Sequence, residues 1–276
     1  SVFTCEPEWA SLLNELAGDA IEVNAATTAK QDVHQIEAKP SLIARMRRAD
    51  LLVCTGAELE VGWLPQLIRQ SGNGKVGTGD GAFYAASQVQ TLDKPGTVDR
   101  AYGDVHPQGN PHVHLDPHRV LTIATALSAR LAKLDAANAA TYQQRLADFT
   151  TRWNAAMAKW EAKAAPLKGR KLIVHHISWV YLERWLGLEE IGTLEPKPGV
   201  PPTSSHLSEL IATAKAQKPI AIVSAAYQDP KPGRWLSERT DVPALVLPFT
   251  VGGDEQASDF FGLFESTIDK LLGAAQ

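Results

Sequence analysis

Apolar residues in the first 70 positions come in short runs separated by stretches where they recur every three or four residues. SVFTC opens the chain as a strand, and Trp9, Leu12, Leu13 and Leu16 then step at helical spacing through EPEWASLLNELAG until Gly18 closes the turn. IEVNA reads as a second strand, Pro40 and Ser41 open a helix through SLIARMRRA, and DLLVC reads as a third strand. This β-α-β-α-β order predicts a parallel sheet joined by right-handed crossovers.

Between Ser71 and Pro111 the rhythm breaks. Eight glycines surround one strand-like run, FYAASQVQTL, and a polar tail, DKPGTVDRAYGDVHPQGNP, so most of this segment is expected to be loop. Two helices follow from Asp116 and Pro117. The second carries Tyr142, Leu146, Phe149, Trp153, Met157 and Trp160 three or four residues apart, which predicts one helix of about 25 residues, about 38 Å long. After Pro166 the alternation resumes with the strand KLIVHH, the helix WVYLERWLGL, a proline-rich link EPKPGVPPTSS, the helix HLSELIATAKAQ and the strands IAIVSAA and ALVLPF. A closing helix carries Phe260, Phe261, Phe264 and Ile268 on one face. The expected fold class is α/β, with two lobes at residues 1–137 and 166–276 whose parallel sheets are flanked by helices. A long spacer helix over 138–165 joins them, and ligands are expected in the cleft at the carboxyl ends of the strands.

Composition narrows the function classes. With 27 Lys+Arg against 31 Asp+Glu among 276 residues, 44% hydrophobic and 21% charged, the chain is an ordinary globular sequence rather than a disordered or fibrous one. Its formal net charge of -4 is interspersed, which argues against nucleic acid as a partner. No apolar run approaches the roughly 18 to 20 residues that cross a bilayer, and any signal peptide is expected to have been removed from this form or never to have existed. Cys5 and Cys54 each lie near the carboxyl end of an expected strand. If those strands are neighbours a disulfide is feasible, which favours an oxidising compartment; two buried reduced thiols are the alternative.

The chemistry concentrates in the histidines. Of the eight, His34 follows the strand IEVNA, His112 and His114 lie in GNPHVHLDP just before a helix start, and His175 and His176 end the strand KLIVHH; Asp254 lies past ALVLPF. A lone histidine is usually a structural residue, but three separate strand-end segments offering imidazoles beside a carboxylate point to a divalent metal. Imidazole nitrogens suit tetrahedral Zn²⁺, whereas Mn²⁺ and Mg²⁺ favour oxygen-rich shells.

Nearly end to end, the chain resembles the cluster A substrate-binding proteins of zinc and manganese ABC importers. DVHQIEAKPS with ADLLVCTGAELE is similar to the family's first ligand loop and the strand after its helix, NPHVHLDP to its second ligand motif, and VHHISWVYLERWLGL to its third. The resemblance implies His34, His112 and His176 as metal ligands. His114 stands where the family usually has tryptophan. No acid occupies the family's final carboxylate position within PFTVGGDE, so Asp254 is the nearest candidate for the fourth ligand and Glu255 the next. His175 is expected to face away from His176 along its strand.

The long His- and Asp-rich insertion of some zinc-binding relatives is missing. Asp99, Asp104 and His106 in the remaining loop are candidates for holding a metal in transit, against a plain solvated loop. What the resemblance implies is a monomeric, non-enzymatic periplasmic carrier. It captures Zn²⁺ and delivers it to an ABC permease, with a periplasmic zinc metallochaperone as a candidate donor. A free rather than lipid-anchored form is expected from Ser1, and affinity is expected to fall as pH drops through the histidine range near 6.5. The competing classes are a zinc hydrolase with an open metal position, against which there is no H-E-x-x-H helix and no obvious general base, Glu37 three residues from His34 serving equally as a helix-start or surface residue, and a metal-binding adhesin.

Overall fold

The computed structural model describes residues 1–95 and 106–276, so Asp99 and Asp104 lie outside the described residues. The first sheet holds β1 (Val2–Thr4), β2 (Val23–Ala25), β3 (Leu51–Cys54) and β4 (Ala82–Tyr84) in the order β2-β1-β3-β4, every pairing parallel. The second holds β5 (Lys171–Val174), β6 (Glu189–Thr193), β7 (Ala221–Ala225) and β8 (Ala244–Leu247) in the order β6-β5-β7-β8, again all parallel. In each sheet all carboxyl ends therefore open on one side, which is where the ligand loops start.

The helices are α1 (Pro7–Ala17), α2 (Pro40–Arg48), α3 (Leu64–Ser71), α4 (Pro117–Leu134), α5 (Ala139–Ala164), α6 (Val180–Leu186), α7 (Ser204–Gln217), α8 (Lys231–Thr240) and α9 (Phe260–Ala274). Asp116 caps α4 by accepting from the His118 N–H at 2.9 Å, with Pro117 at the first helical position, and Asp259 caps α9 by accepting from the Gly262 N–H at 2.7 Å. Where α1 ends, Gly18 has φ +54 and a Cβ there would stand 2.9 Å from the Arg145 guanidinium carbon. Glycine is needed for the turn and for the close approach, because Arg145 reaches across from α5 to the Glu15 and Asn14 carbonyls of α1.

Strand residues alternate between two cores, as the period of two requires. Val2, Leu51, Val53, Leu172, Val174 and Val223 face a core that runs without a break from α1 and the first sheet, through α4 and α5, to the second sheet and α9. Phe3, Leu52 and Cys54 face outward onto α2 and α3, and Ile173 and Ile222 onto α7 and α8. Both sheets thus share their inner core. The aromatic stripe of α5 is its spine: Trp153 is fully buried, donates Nε1–H to the Pro117 carbonyl at 2.8 Å and packs on Phe149, Phe260, Phe261 and Phe264. Trp160 donates to Glu265 of α9 at 2.9 Å. Emptying one such aromatic site generally costs about 3–5 kcal/mol, so this helix ties the halves together strongly.

Two departures from the sequence reading have simple causes. FYAASQVQTL keeps only Phe83 and Tyr84, the end of β4, as strand and then turns at Ala85–Gln88, with the Ala86 N–H still donating to the Thr55 carbonyl at 2.9 Å. The edge strand β6 and the helices α3 and α8 are additional elements. β6 reads Glu-Glu-Ile-Gly-Thr and is half-exposed, and α8 begins Lys-Pro-Gly, so neither carries a clean apolar period. Cys5 and Cys54 form a disulfide, with Cα atoms 4.8 Å apart, because β1 and β3 are neighbours in register.

Candidate metal centre

The His34 ring is delivered by the loop after β2. Trp63 fixes that loop by donating Nε1–H to the Val33 carbonyl at 2.7 Å, and Gly62 lets the backbone pass, since a Cβ there would stand 3.0 Å from the His34 carbonyl oxygen. His112 comes from the segment before α4, held by its own N–H donating to Asn110 Oδ1 at 3.1 Å. His176 lies two residues beyond β5. These three imidazoles from both halves converge: ring centroids are 5.9, 5.7 and 6.2 Å apart, and each offers a nitrogen within 4.8 Å of the others. A Zn–N bond of about 2.0–2.1 Å needs nitrogens roughly 3.3 Å apart, so only a small contraction separates this arrangement from a bound geometry.

Carboxylates orient two of the rings. His34 Nδ1 donates to Asp32 Oδ1 at 2.7 Å, and His176 Nδ1 donates to Glu195 Oε2 at 2.7 Å, itself braced by the Gly199 N–H at 3.0 Å. Fixing Nδ1 as donor leaves Nε2 as the lone-pair nitrogen and raises its basicity, the usual support for an imidazole ligand. His34 Nε2 and His112 Nδ1 are buried with no protein partner. Leaving such atoms unsatisfied is costly, so they point to a ligand that completes them. Burial works against the Asp32 carboxylate, yet its bonds from His34 hold it below the usual carboxylate range. Burial and then the neighbouring His34 and His176 rings push His112 well below the ordinary imidazole value of 6.5, so this group stays neutral on acidification well past that value.

The other sequence candidates fall elsewhere. Asp254 is not in the cluster: its carboxylate accepts from the Ala257 N–H at 2.8 Å and Ser266 Oγ at 2.6 Å and pairs with Lys270 at 2.7 Å, so it anchors the start of α9. Glu255 and Glu37 are exposed. His114 is held away, its Nε2 2.9 Å from the Phe249 carbonyl and its Nδ1 3.6 Å from Glu8, whose other oxygen accepts from Thr250. His175 does not turn away as strand alternation predicts, because β5 ends at Val174; it lines the same cavity of about 430 Å³ as His34, His176, Asp32 and Glu195.

Several residues that shape the site carried no sequence signal. Phe249 adopts φ +65, strained for a non-glycine, and its ring packs edge-on against His112, His114 and Trp179. Asn110 donates to the Ile177 carbonyl at 2.8 Å, Tyr181 donates to the Asn110 carbonyl at 2.5 Å, and Lys30 reaches the Gly253 carbonyl at 3.1 Å, three bonds that cross the cleft. Neither Asp32, two residues before His34, nor Glu195, nineteen residues from His176, was singled out from the sequence.

The model of the family described as ZnuA, zinc-uptake complex component A, periplasmic, matches residues 2–274. The chain belongs to this family. It is a cluster A substrate-binding protein of metal ABC importers, a carrier rather than an enzyme, acting with an ABC permease outside the cytoplasm. The manganese ABC transporter substrate-binding lipoprotein PsaA of Streptococcus pneumoniae is 22% identical over 98% of the chain and 87% of its own length. The metal ABC transporter substrate-binding lipoprotein FimA of Streptococcus parasanguinis matches equally, at 22% over 98% and 87%. Among solved structures, a ZnuA crystal structure superposes with a TM-score of 0.83 at 24% identity, covering 100% of this chain and 98% of that one. A manganese-bound periplasmic metal-binding protein from Candidatus Liberibacter asiaticus gives 0.79 at 16% identity, covering 100% and 99%. Both solved structures share the fold of two parallel sheets bridged by a long helix. Among the described residues, no helix is long and apolar enough to cross a membrane.

Proposed function

We propose that this chain captures Zn²⁺ in the cleft between residues 1–137 and 166–276, with 138–165 as spacer, and hands it to the permease of an ABC importer from the periplasm, working as a monomer. The observation that carries the reading is the meeting of His34, His112 and His176, with carboxylate-oriented rings and buried nitrogens lacking any protein partner. A nitrogen-rich donor set favours zinc over manganese, which lies at the weak end of the divalent series and prefers oxygen. The names of the streptococcal relatives favour manganese as the second reading, and the donor set argues against it. The inner core shared by both sheets, with the cross-cleft bonds of Asn110 and Lys30, opposes wide hinge opening. Release then proceeds by loosening of the ligand loops under contact with the permease.

Direct competition tests the metal. Metal-stripped protein with equal Zn²⁺ and Mn²⁺ in a chelator-buffered dialysis should retain zinc at one per chain, and zinc should raise the unfolding temperature far more than manganese at the same free concentration. Preferential retention of manganese would overturn the zinc assignment.

A further inference from the structure

The three clustered imidazoles leave a tetrahedral ion one donor short, and the acids near them are already engaged. Asp32 is bonded to His34, Glu195 to His176 and Gly199, Glu8 to His114 and Thr250, and the exposed Asp229 of the same cavity accepts from the Lys231 N–H, while Asp254 is held away by Lys270, Ser266 and Ala257. Two further rings lie beside the cluster, His175 on the cavity wall and His106 against His34. His106 lies with its centroid 5.7 Å from that of His34, the same separation as between His34 and His176. Its ring donates a hydrogen bond to the Ala57 carbonyl, and its Nε2 is buried with no partner, which leaves Nδ1 as the donor and Nε2 as the free lone pair. That is the tautomer His34 and His176 adopt, with a backbone carbonyl replacing the carboxylate.

The Ala57 carbonyl is itself held firmly. The turn after β3 places Ala57 at φ +50 and Glu58 at φ +66, and the buried Glu60 carboxylate fixes it by accepting from the Thr55 N–H at 2.8 Å and the Gly56 N–H at 3.1 Å. A left-handed turn braced by a buried acid is an expensive way to position one carbonyl unless the ring it holds has work to do. His106 is not one of the three residues whose ligand nitrogens lie within 4.8 Å of one another; its ring lies beside that of His34 at an interplanar angle of 32°.

We propose that His106 supplies the fourth ligand through Nε2, giving this chain an all-imidazole zinc site. The assignment rests on the carrier reading above and deepens it. Four neutral imidazoles leave no carboxylate oxygen in the shell, which makes His106 a determinant of selectivity against Mn²⁺.

The test is X-ray absorption at the zinc edge on the full chain loaded with one equivalent of Zn²⁺, for the natural sequence and His106→Gln, with circular dichroism confirming that both are folded. Four imidazoles in the natural protein are expected. In His106→Gln the shell should become three imidazoles and one oxygen, zinc should still bind one per chain at least about 10-fold more weakly, and preference for zinc over manganese should narrow. Free imidazole added to His106→Ala should restore the four-nitrogen shell. Three imidazoles plus oxygen in the natural protein, unchanged by His106→Gln, would overturn the assignment and leave the carrier reading standing; absence of any stoichiometric zinc would overturn both.

Discussion

Replacing His176 with alanine is expected to weaken zinc binding by more than about 100-fold, roughly 2.8 kcal/mol, while both sheets stay folded. The expectation follows from position. His176 contributes the one clustered nitrogen from the second half, so its loss leaves His34 and His112 on a single side of the cleft and Glu195 without the ring it orients. Even outer partners of a metal ligand generally cost about 10–100-fold when removed, and a ligand should exceed that. The backbone around it is held independently, by the His175 N–H to Val223 bond at 2.8 Å and the fully buried Trp179, so the fold does not depend on the imidazole. Titration of His176→Ala against a competing chelator, beside its circular dichroism spectrum, gives the result. An affinity within about threefold of the natural protein would remove this residue from the site.

The second large effect concerns stability. Cys5 and Cys54 close a loop with a sequence separation of 49 and join the carboxyl ends of adjacent strands β1 and β3. Loop-closure entropy for that length corresponds to about 4 kcal/mol of stability, equivalent to a fall in unfolding temperature of roughly 10 °C for a chain of this size. Cys5→Ala/Cys54→Ala, compared with the natural chain by denaturant unfolding without metal, should show that loss. Its reach toward the site is local: the Cys5 carbonyl accepts from Thr27 Oγ1 at 2.8 Å at the start of the His34 loop. Zinc affinity should therefore fall far less than stability does. Unchanged stability would show that β1 and β3 hold this pairing without the bond.

Strand ends were the most legible part of the sequence. Short apolar runs located β1, β3, β5 and β7; His176 lies just beyond β5, while His34, in the loop after β2, and His112, before α4, reach the same opening through longer segments. The stripe on α5 was equally readable, since six large side chains at helical spacing have few other arrangements available. Asp254 shows the limit of the same reasoning. A carboxylate past a strand can face the cleft or secure the next helix, and Ser266 and Lys270, twelve and sixteen residues away, draw it to the helix. His106 was read as a candidate for holding a metal in transit, against a plain solvated loop, because nothing local marks the Ala57 carbonyl as its partner. Phe249 at positive φ and the cross-cleft bonds of Asn110 are tertiary facts with no periodic trace.

Anomalous diffraction at the zinc absorption edge, from crystals of the natural protein given one equivalent of Zn²⁺, bears most directly on whether these imidazoles hold the ion. A single strong peak bounded by the His34, His112 and His176 rings is predicted. A peak elsewhere, beside Asp254 or on the surface, with those three rings still apart, would contradict it.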